Sequence, residues 1–335
     1  MTGPRRIEIG AEAQGLRLDR FLAEQLQRSR TQIQNDIASR RILLDGEPAR
    51  PATRLTGGEV VTLSEAPARP AERIEPEHLP LAILFEDADL VVVDKPAGLA
   101  VHPGAGRAVG TLCHRLVARY PEIAEVGHPQ RPGIVHRLDL GTSGVMAIAR
   151  NAHAYQALVR AFARRRIAKE YLAIAHGAVE QGLLIDQPIA RHPTERKRMT
   201  VRAGGRSAST ECDRLDLAAR DRLSLLRLRL HTGRTHQIRV HLKHAAHPLV
   251  GDPVYGEARW KELSGAARAA IREFPRPALH AWRLTLEHPR AGSQRSFTAD
   301  PPADLGELWR AVGGREIGAL LATLEPPTVA AEGAR

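Results

Sequence analysis

Cysteine is scarce in this chain, since only Cys113 and Cys212 occur among its 335 residues. Two cysteines are too few for a disulfide framework and do not show the spacing of a metal site, which favours a reducing compartment. Long apolar runs are also missing, and no charged and then apolar leader opens the chain. We therefore expect a soluble, cytoplasmic protein without a membrane partner.

The charge of the chain is strongly basic, and the excess is local. Lys and Arg number 49 against 38 Asp and Glu, which gives a net charge of +11. Residues 150–244 contain 20 Lys and Arg but 8 Asp and Glu, a surplus of 12, so the rest of the chain sums to −1. Clustered cations are typical of a groove for a polyanion, because they neutralise phosphates. The sequence therefore predicts a nucleic-acid-binding surface in this region.

The first part of the chain predicts a small domain. Residues 1–15 are expected to be a flexible terminus. Residues 16–63 should form two helices followed by a small hairpin sheet, because apolar residues recur at helical spacing from Leu18 and strand-like runs surround the Asp45-Gly46 turn.

The remaining chain predicts one larger domain between two less regular segments. Residues 64–80 are rich in Pro, Ala, Glu and Arg and should form a semi-rigid linker. Residues 81–312 contain the strand and helix patterns of the large domain. Residues 313–335 are rich in Ala, Pro and Glu and predict a mostly disordered tail.

The densest group of reactive side chains lies in residues 133–144, which read GIVHRLDLGTSG. Ile134 and Val135 predict a short strand, and residues 141–144 have the composition of a turn into a second strand. Asp139 would then lie at the mouth of a sheet, where its carboxylate can meet a ligand. An Asp at such a place is more often a turn or cap residue, so this stretch does not decide the function by itself.

Three ordered motifs carry a family resemblance. The segment DKPAG at residues 94–98, the HRLD and TSG of residues 136–144, and GRTHQIRVH at residues 233–241 together resemble the signature of the RluA family of RNA pseudouridine synthases. The small domain, from Leu18 through Asp45-Gly46 to residues 58–60, resembles an S4 RNA-binding domain.

The resemblance implies an α+β fold, with a mixed, largely antiparallel sheet and a central cleft, plus the small S4 domain. It implies that Asp139 is the catalytic residue, and that Arg137 and Arg239 flank it and hold it ionised. Tyr171 would stack on the target base, and Arg137 would fill the space left by the flipped-out nucleotide. The apolar walls of the site would be Leu138 and Ile238.

The implied reaction breaks the N-glycosidic bond of a uridine and rejoins the uracil through C5, which requires no cofactor. Asp139 can begin it as a nucleophile on C1′ or as a base on a ribose proton, and the sequence leaves both routes open. By the same resemblance, Lys95 and His102 would shape the floor of the site.

RNA contacts are predicted for basic side chains in both domains, although a solvated surface explains scattered cations equally well. These side chains are Arg28, Arg30, Arg40, Arg41, Arg164, Arg165, Arg166, Arg196, Lys197, Arg198 and Arg234.

Within the family the chain is most similar to the RluD group, which modifies a stem-loop of 23S rRNA in the large ribosomal subunit. The predicted partner is therefore 23S rRNA or a precursor of that subunit, and a monomer is expected. Another 23S or tRNA site and a non-catalytic rRNA-binding assembly factor are alternatives. A further alternative is a metal-dependent hydrolase with the ligands His102, His136, Asp139, His236 and His241.

Overall fold

The structure is a computed structural model that describes residues 4–26, 30–64, 73–104, 107–195 and 198–327. The chain divides into two compact units, Met1–Glu72 and Arg73–Arg335. No helix in the described part of the chain is long and apolar enough to cross a membrane.

The first unit packs two helices on a small antiparallel sheet. Its sheet has the strand order β1, β4, β2, β3. Alternating and helically spaced apolar residues of these elements share one core, which includes Leu18, Leu22, Ile33 and Val61. The elements are β1 (Arg5–Glu8), α1 (Leu18–Gln25), α2 (Arg30–Ala38), β2 (Ile42–Leu44), β3 (Glu47–Pro48) and β4 (Val60–Leu63).

The expected flexibility of residues 1–15 was wrong for residues 4–15. Strand β1 pairs with β4 in a register that places Arg5 opposite Leu63, and Ile9 N–H donates to Glu59 O at 2.9 Å. Ile9 and Ala13 are buried in the core of the unit. Backbone pairing with a strand about fifty residues away explains the order of this segment, and its own composition gives little sign of it.

The second unit is built around a large mixed sheet. The strand order is β11, β14, β15, β10, β16, β9, β6, β5, with β17 paired to β16. Only the β9–β16 pair is parallel among the described strands of this sheet, in agreement with the predicted fold class. The strands are β5 (Ala82–Glu86), β6 (Leu90–Lys95), β7 (Gly127–His128), β8 (Arg131–Pro132), β9 (Ser143–Ala149), β10 (Ala168–His176), β11 (Leu183–Asp186), β12 (Ile189–Arg191), β13 (Met199–Val201), β14 (Ser209–Ala218), β15 (Leu223–Leu230), β16 (Leu279–Glu287) and β17 (Gln294–Thr298).

Helices cover both faces of this sheet, so alternate side chains of its central strands enter two different cores. On β10, Tyr171 and Ala173 pack in one core, while Leu172 and Ile174 pack in the other with Trp309. The helices are α3 (Leu112–Arg119), α4 (Ala152–Ala163), α5 (Gln237–His244), α6 (Gly265–Glu273), α7 (Ala303–Ala311) and α8 (Ile317–Leu321).

The large unit extends beyond both of its predicted ends. Ile74 is buried against Cys113 and Val117 of α3, so the second half of the predicted linker, residues 73–80, packs on this unit. In the predicted tail, Ile317 and Leu321 of α8 are buried in the core of the unit. The prediction of disorder was therefore wrong up to residue 327, because these two residues are spaced four apart and form an apolar helix face. The other parts of both predictions, residues 65–72 and 328–335, lie outside the described residues.

Strand β9 meets β16 at a close backbone contact. Gly144 has φ +115°, and a Cβ on this residue would lie 2.1 Å from Ala281 O. Only glycine fits a backbone at this distance and this dihedral angle. The contact anchors the end of the loop that precedes β9, which carries Asp139.

Candidate active site

A cavity of about 550 Å³ lies in the second unit, where six segments of the chain meet. Most of its lining comes from the loop before β9, the end of α4, the start of β10, and the loop from β15 into α5, and Arg206 and Leu279 complete it. All six predicted active-site residues line this cavity: Arg137, Leu138, Asp139, Tyr171, Ile238 and Arg239. The structure therefore brings together residues that are far apart in the sequence.

The Asp139 loop is held by its backbone. Thr142 N–H donates to Asp139 O at 3.1 Å, and Gly98 N–H donates to Leu140 O at 2.8 Å. The predicted strand at Ile134 and Val135 is reduced to one isolated bridge between Ile134 and Ile148. Asp139 consequently lies on a loop that enters β9, and not directly after a strand.

Asp139 faces Arg239, which is held from its other side by a second carboxylate. Arg239 Nη1 donates to Asp139 Oδ2 at 3.2 Å, while Nε and Nη2 donate to the two Asp252 oxygens at 2.7 Å each. The Asp252 side chain is fully buried, and Asp139 retains 19% exposure. The bidentate pair between Arg239 and Asp252 fixes the plane of the guanidinium group. Its remaining nitrogen, Nη1, therefore points at the carboxylate of Asp139.

Arg137 was predicted to flank Asp139 and hold it ionised, but no ion pair joins the two side chains. Its side chain is exposed on the cavity wall, and in the described part of the chain it forms no ion pair. It is therefore available to a ligand, whereas the orientation of Asp139 depends on Arg239.

The turn before α5 is shaped by a buried glutamine. Gln237 Oε1 accepts hydrogen bonds from Thr232 Oγ1 at 2.7 Å and from Arg234 N–H at 3.0 Å. The helix begins after His236, which has the left-handed dihedral angles φ 57° and ψ 22°. A left-handed non-glycine residue is strained, and such strain is concentrated at functional sites.

His236 connects Asp139 to a tyrosine behind the site. Its Nε2 lies 3.9 Å from Asp139 Oδ2, and its Nδ1 lies 2.8 Å from the Tyr255 hydroxyl. The same hydroxyl accepts a hydrogen bond from Met199 N–H at 2.8 Å. Burial lowers the pKa of His236 more than the nearby Asp139 carboxylate raises it, so the ring is neutral at pH 7.

We expect Tyr255→Phe to reduce activity about 10-fold and stability by about 1–3 kcal/mol, because Met199 N–H and His236 Nδ1 both lose their partner. The ring remains, so its edge contact with His236 and its packing under Arg239 are kept. Single-turnover kinetics and urea denaturation measure the two effects. Unchanged kinetics would show that His236 does not need this hydroxyl.

Burial also shifts the pKa values of Tyr171 and Lys95, which both interact with the Asp139 charge. It raises the pKa of Tyr171 well above its usual range, and the Asp139 charge adds to this effect, so the ring is a neutral surface. Burial lowers the pKa of Lys95 to about 7, although the Asp139 charge opposes it. Lys95 Nζ donates to Pro96 O and Leu99 O. His102, which was predicted to shape the floor of the site, does not line the cavity. Its Nδ1 lies 2.8 Å from Pro103 O.

His136 is a half-buried hydrogen-bond acceptor that also lines the cavity. Its Nε2 accepts a hydrogen bond from Ala147 N–H at 3.0 Å, and its ring stacks on Phe162. Burial lowers the pKa of His136 to about 3. Protonation would place a charge beside the Phe162 ring and remove the acceptor of the Ala147 hydrogen bond.

We expect the contribution of His136 to stability to be complete above about pH 6.5 and to be lost as the pH decreases toward 3, because the unfolded chain binds a proton in this range that folded His136 excludes. Urea midpoints at pH 7.5, 6 and 5 measure this decline. The variant His136→Asn can still accept from Ala147 and should show a weaker decline. An equal decline in both proteins would exclude His136 as its source.

The five ligands of the alternative metal site do not gather. His136 is engaged with Ala147, and His241 contacts Thr210 Oγ1 and Gln187 O at 2.9 Å each. The described residues contain one group with metal-ligand spacing, Asp87, Asp89 and His288, and it shares no residue with the alternative site.

The predicted RNA-contacting residues have different environments. Arg165 and Arg234 line the cavity. Arg30 pairs with the buried Asp19, Arg41 with Asp36, and Arg198 with Glu195. Arg40 is exposed, Arg164 lies at the end of α4, and Arg166 pairs with Glu287 at 3.4 Å. Arg28, Arg196 and Lys197 lie outside the described residues, so nothing is added to their prediction.

Three residues around the Asp139–Arg239 pair were not assigned to the site from the sequence: Lys169, Asp252 and Tyr255. His236 was named only as a ligand of the alternative metal site. Lys169 shares a strand face with Tyr171, so period-two spacing could have indicated it. The segment GDPVYG at residues 251–256 contains Asp252 and Tyr255, but nothing in its spacing indicates that they contact Arg239 and His236.

Comparison with protein-family models gives two matches. The RNA pseudouridylate synthase model matches residues 89–244, and the S4 domain model matches residues 16–61. Together with the relatives described next, these matches show that the chain belongs to the RNA pseudouridylate synthase family. The predicted family, enzyme class and S4 domain are confirmed, and the chain is an RNA pseudouridine synthase.

Individual relatives allow a more specific comparison than the family models. "Ribosomal large subunit pseudouridine synthase D" of Escherichia coli (strain K12) is 44% identical over 300 residues, covering 88% of this chain and 90% of the relative. The protein of the same name from Haemophilus ducreyi is 43% identical over 313 residues, covering 91% and 93%. Among solved structures, "Human RNA Pseudouridylate Synthase Domain Containing 1" has a TM-score of 0.55 and 28% identity, covering 75% of this chain and 98% of that one.

Proposed function

We propose that this enzyme converts uridine to pseudouridine in large-subunit ribosomal RNA, in the 23S stem-loop that lies at the subunit interface. The observation that carries the proposal is the partly exposed Asp139 carboxylate, which Arg239 orients toward a cavity with Tyr171 on its wall. The substrate class follows from the relatives, whose names specify the large ribosomal subunit.

The reaction is an isomerisation in which all atoms are conserved. The bond between N1 and C1′ breaks, the uracil turns within the cavity, and a new bond joins C5 to C1′. C5 then loses its proton, and N1 gains one. Asp139 begins the reaction either by attack on C1′ or by removal of a ribose proton, and both routes use the ionised carboxylate that faces Arg239.

The cavity walls have separate tasks in this proposal. The neutral ring of Tyr171 stacks on the uracil and keeps it in place while it turns. Leu138 and Ile238 exclude water from the open glycosidic bond. Arg137, which is exposed and forms no ion pair within the described chain, enters the RNA stack when the nucleotide leaves it.

The partner and setting follow from the substrate. Arg30, Arg40 and Arg41 of the S4 domain would contact the RNA outside the target stem-loop. We place the reaction in the cytoplasm, where the large subunit is assembled, and propose that one copy of the chain is sufficient.

The test uses an unmodified 23S rRNA transcript in buffer with EDTA, with pseudouridine mapped by carbodiimide treatment and primer extension. Wild type, Asp139→Asn and Asp221→Asn are compared. Asp221 is a matched control because it is exposed and has φ 62°, which asparagine tolerates, so the same charge is removed outside the cavity.

We expect pseudouridine in the interface stem-loop with wild type and Asp221→Asn, and none with Asp139→Asn. Modification at another position of the transcript would overturn the proposed substrate and keep the activity. RNA binding without any modification, also on large-subunit particles from cells that lack the enzyme, would favour the non-catalytic assembly factor.

A further inference from the structure

One wall of the cavity carries a group of four cations, Arg165, Lys169, Arg206 and Arg234. Only one acidic residue lines the same cavity among the described residues, and this is Asp139, which pairs with Arg239. In the described part of the chain, none of the four cations has a carboxylate within ion-pair distance. The charges of this cationic wall are therefore not compensated by the protein.

The cationic wall is built by separate elements. Lys169 lies on β10 two residues before Tyr171, and its Nζ donates to Thr232 O at 3.3 Å. Arg234 Nε donates to Ser207 O at 3.0 Å, which leaves its terminal nitrogens for another acceptor. Arg165 follows α4 in a left-handed conformation with φ 59°. Backbone contacts thus hold two of the cations in place.

The four charges are close enough to repel one another. Burial lowers the pKa of Lys169 to about 8, and Arg165 and Arg234 contribute to this decrease. Burial likewise lowers the pKa of Arg234, with contributions from Arg206 and Arg165. Like charges gathered without a counter-ion destabilise a fold, so such a group is expected where a ligand supplies the opposite charge.

We propose that Arg165, Lys169, Arg206 and Arg234 bind the RNA phosphodiester next to the target uridine. The inference rests on the proposed function and adds a phosphate site to it. Lys169 and Tyr171 project from the same face of β10, about 7 Å apart along the strand. One nucleotide spans this distance from its base to its phosphate. Tyr171 and the cationic wall therefore hold the two ends of one nucleotide.

The test replaces single phosphates of an RNA stem-loop substrate by neutral methylphosphonates and measures single-turnover rate and affinity. The enzymes are wild type, Arg165→Gln and the control Arg310→Gln. Arg310 is an exposed cation on α7, outside the cavity. Pseudouridine formed by wild type on the unmodified RNA tests the proposed function separately from the phosphate site.

For wild type and Arg310→Gln, we expect a neutral linkage beside the target uridine to reduce the ratio of the single-turnover rate constant to Kd about 10-fold. A neutral linkage far from that uridine should have little effect. For Arg165→Gln on unmodified RNA we expect the same ratio to fall to a similar degree. The slope of the logarithm of the binding constant against the logarithm of the salt concentration should be smaller by about 1. In this variant, a neutral linkage beside the target uridine should reduce the ratio of rate constant to Kd only slightly further. If Arg165→Gln and the neutral linkage act additively, the phosphate is bound elsewhere and the inference falls.

Lys169 provides a second readout. The charged groups that face it are Arg165 and Arg234, and arginine keeps its charge near neutral pH. The titratable ring of His136 also lies near Lys169, and burial lowers the pKa of His136 to about 3, far below this range. RNA affinity of wild type should fall as the pH rises through about 8, because Lys169 then loses its proton. Lys169→Arg should bind as well at pH 7 and lose this pH dependence. A variant that keeps the wild-type pH profile would exclude Lys169 from the site.

Discussion

Asp139→Asn should reduce pseudouridine formation by at least about 10⁴-fold, with RNA affinity changed less than about threefold. Asparagine has the shape of aspartate, and its oxygen can still accept the hydrogen bond from Arg239 Nη1 that Asp139 Oδ2 accepts at 3.2 Å. It carries no charge and can neither attack C1′ nor remove a ribose proton. The variant therefore separates chemistry from binding.

The measurement is a single-turnover time course with enzyme in excess over RNA, together with a filter-binding titration. Asp221→Asn should follow the wild-type time course. A rate for Asp139→Asn within about 10-fold of wild type would assign Asp139 a structural role in its loop, where Thr142 N–H already bonds its carbonyl.

Arg239→Met should destabilise the protein by about 3–5 kcal/mol and remove activity, because breaking a buried ion pair leaves the other charge in the core. The fully buried Asp252 would lose the two hydrogen bonds of 2.7 Å that compensate its charge. Asp139 would at the same time lose its orienting contact.

The double variant Arg239→Met with Asp252→Asn distinguishes these two effects. The asparagine introduced by the second substitution is neutral, and its oxygen can still accept the backbone N–H groups of Val254 and Tyr255 that Asp252 Oδ1 accepts. We expect urea denaturation to show partial recovery of stability and kinetics to show no recovery of activity. Recovery of both would mean that Arg239 acts only through stability.

The sequence was most informative where function depends on short, local patterns. The motifs HRLD and GRTHQIRVH carried the family resemblance, which implied that Asp139, Tyr171 and Arg239 share one site, and all three line one cavity. The helical spacing of apolar residues from Leu18 likewise predicted α1 correctly.

The rest of the site depends on contacts between distant segments. Asp139 and Arg239 are 100 residues apart, and the Arg239 orientation depends on Asp252 from yet another loop. His236 is positioned by a left-handed turn that Gln237 stabilises through Thr232. No propensity or spacing predicts such pairings. The same holds for β1, whose order comes from its partner β4.

The most direct test of the central claim follows the hydrogen on C5 of the target uridine. RNA is transcribed with uridine tritiated at C5, and wild type and Asp139→Asn are compared for tritium released to water, pseudouridine formed and free uracil. The account predicts one tritium released per pseudouridine with wild type, none with Asp139→Asn, and no free uracil. Free uracil without pseudouridine, or pseudouridine formation that persists in Asp139→Asn, would contradict it.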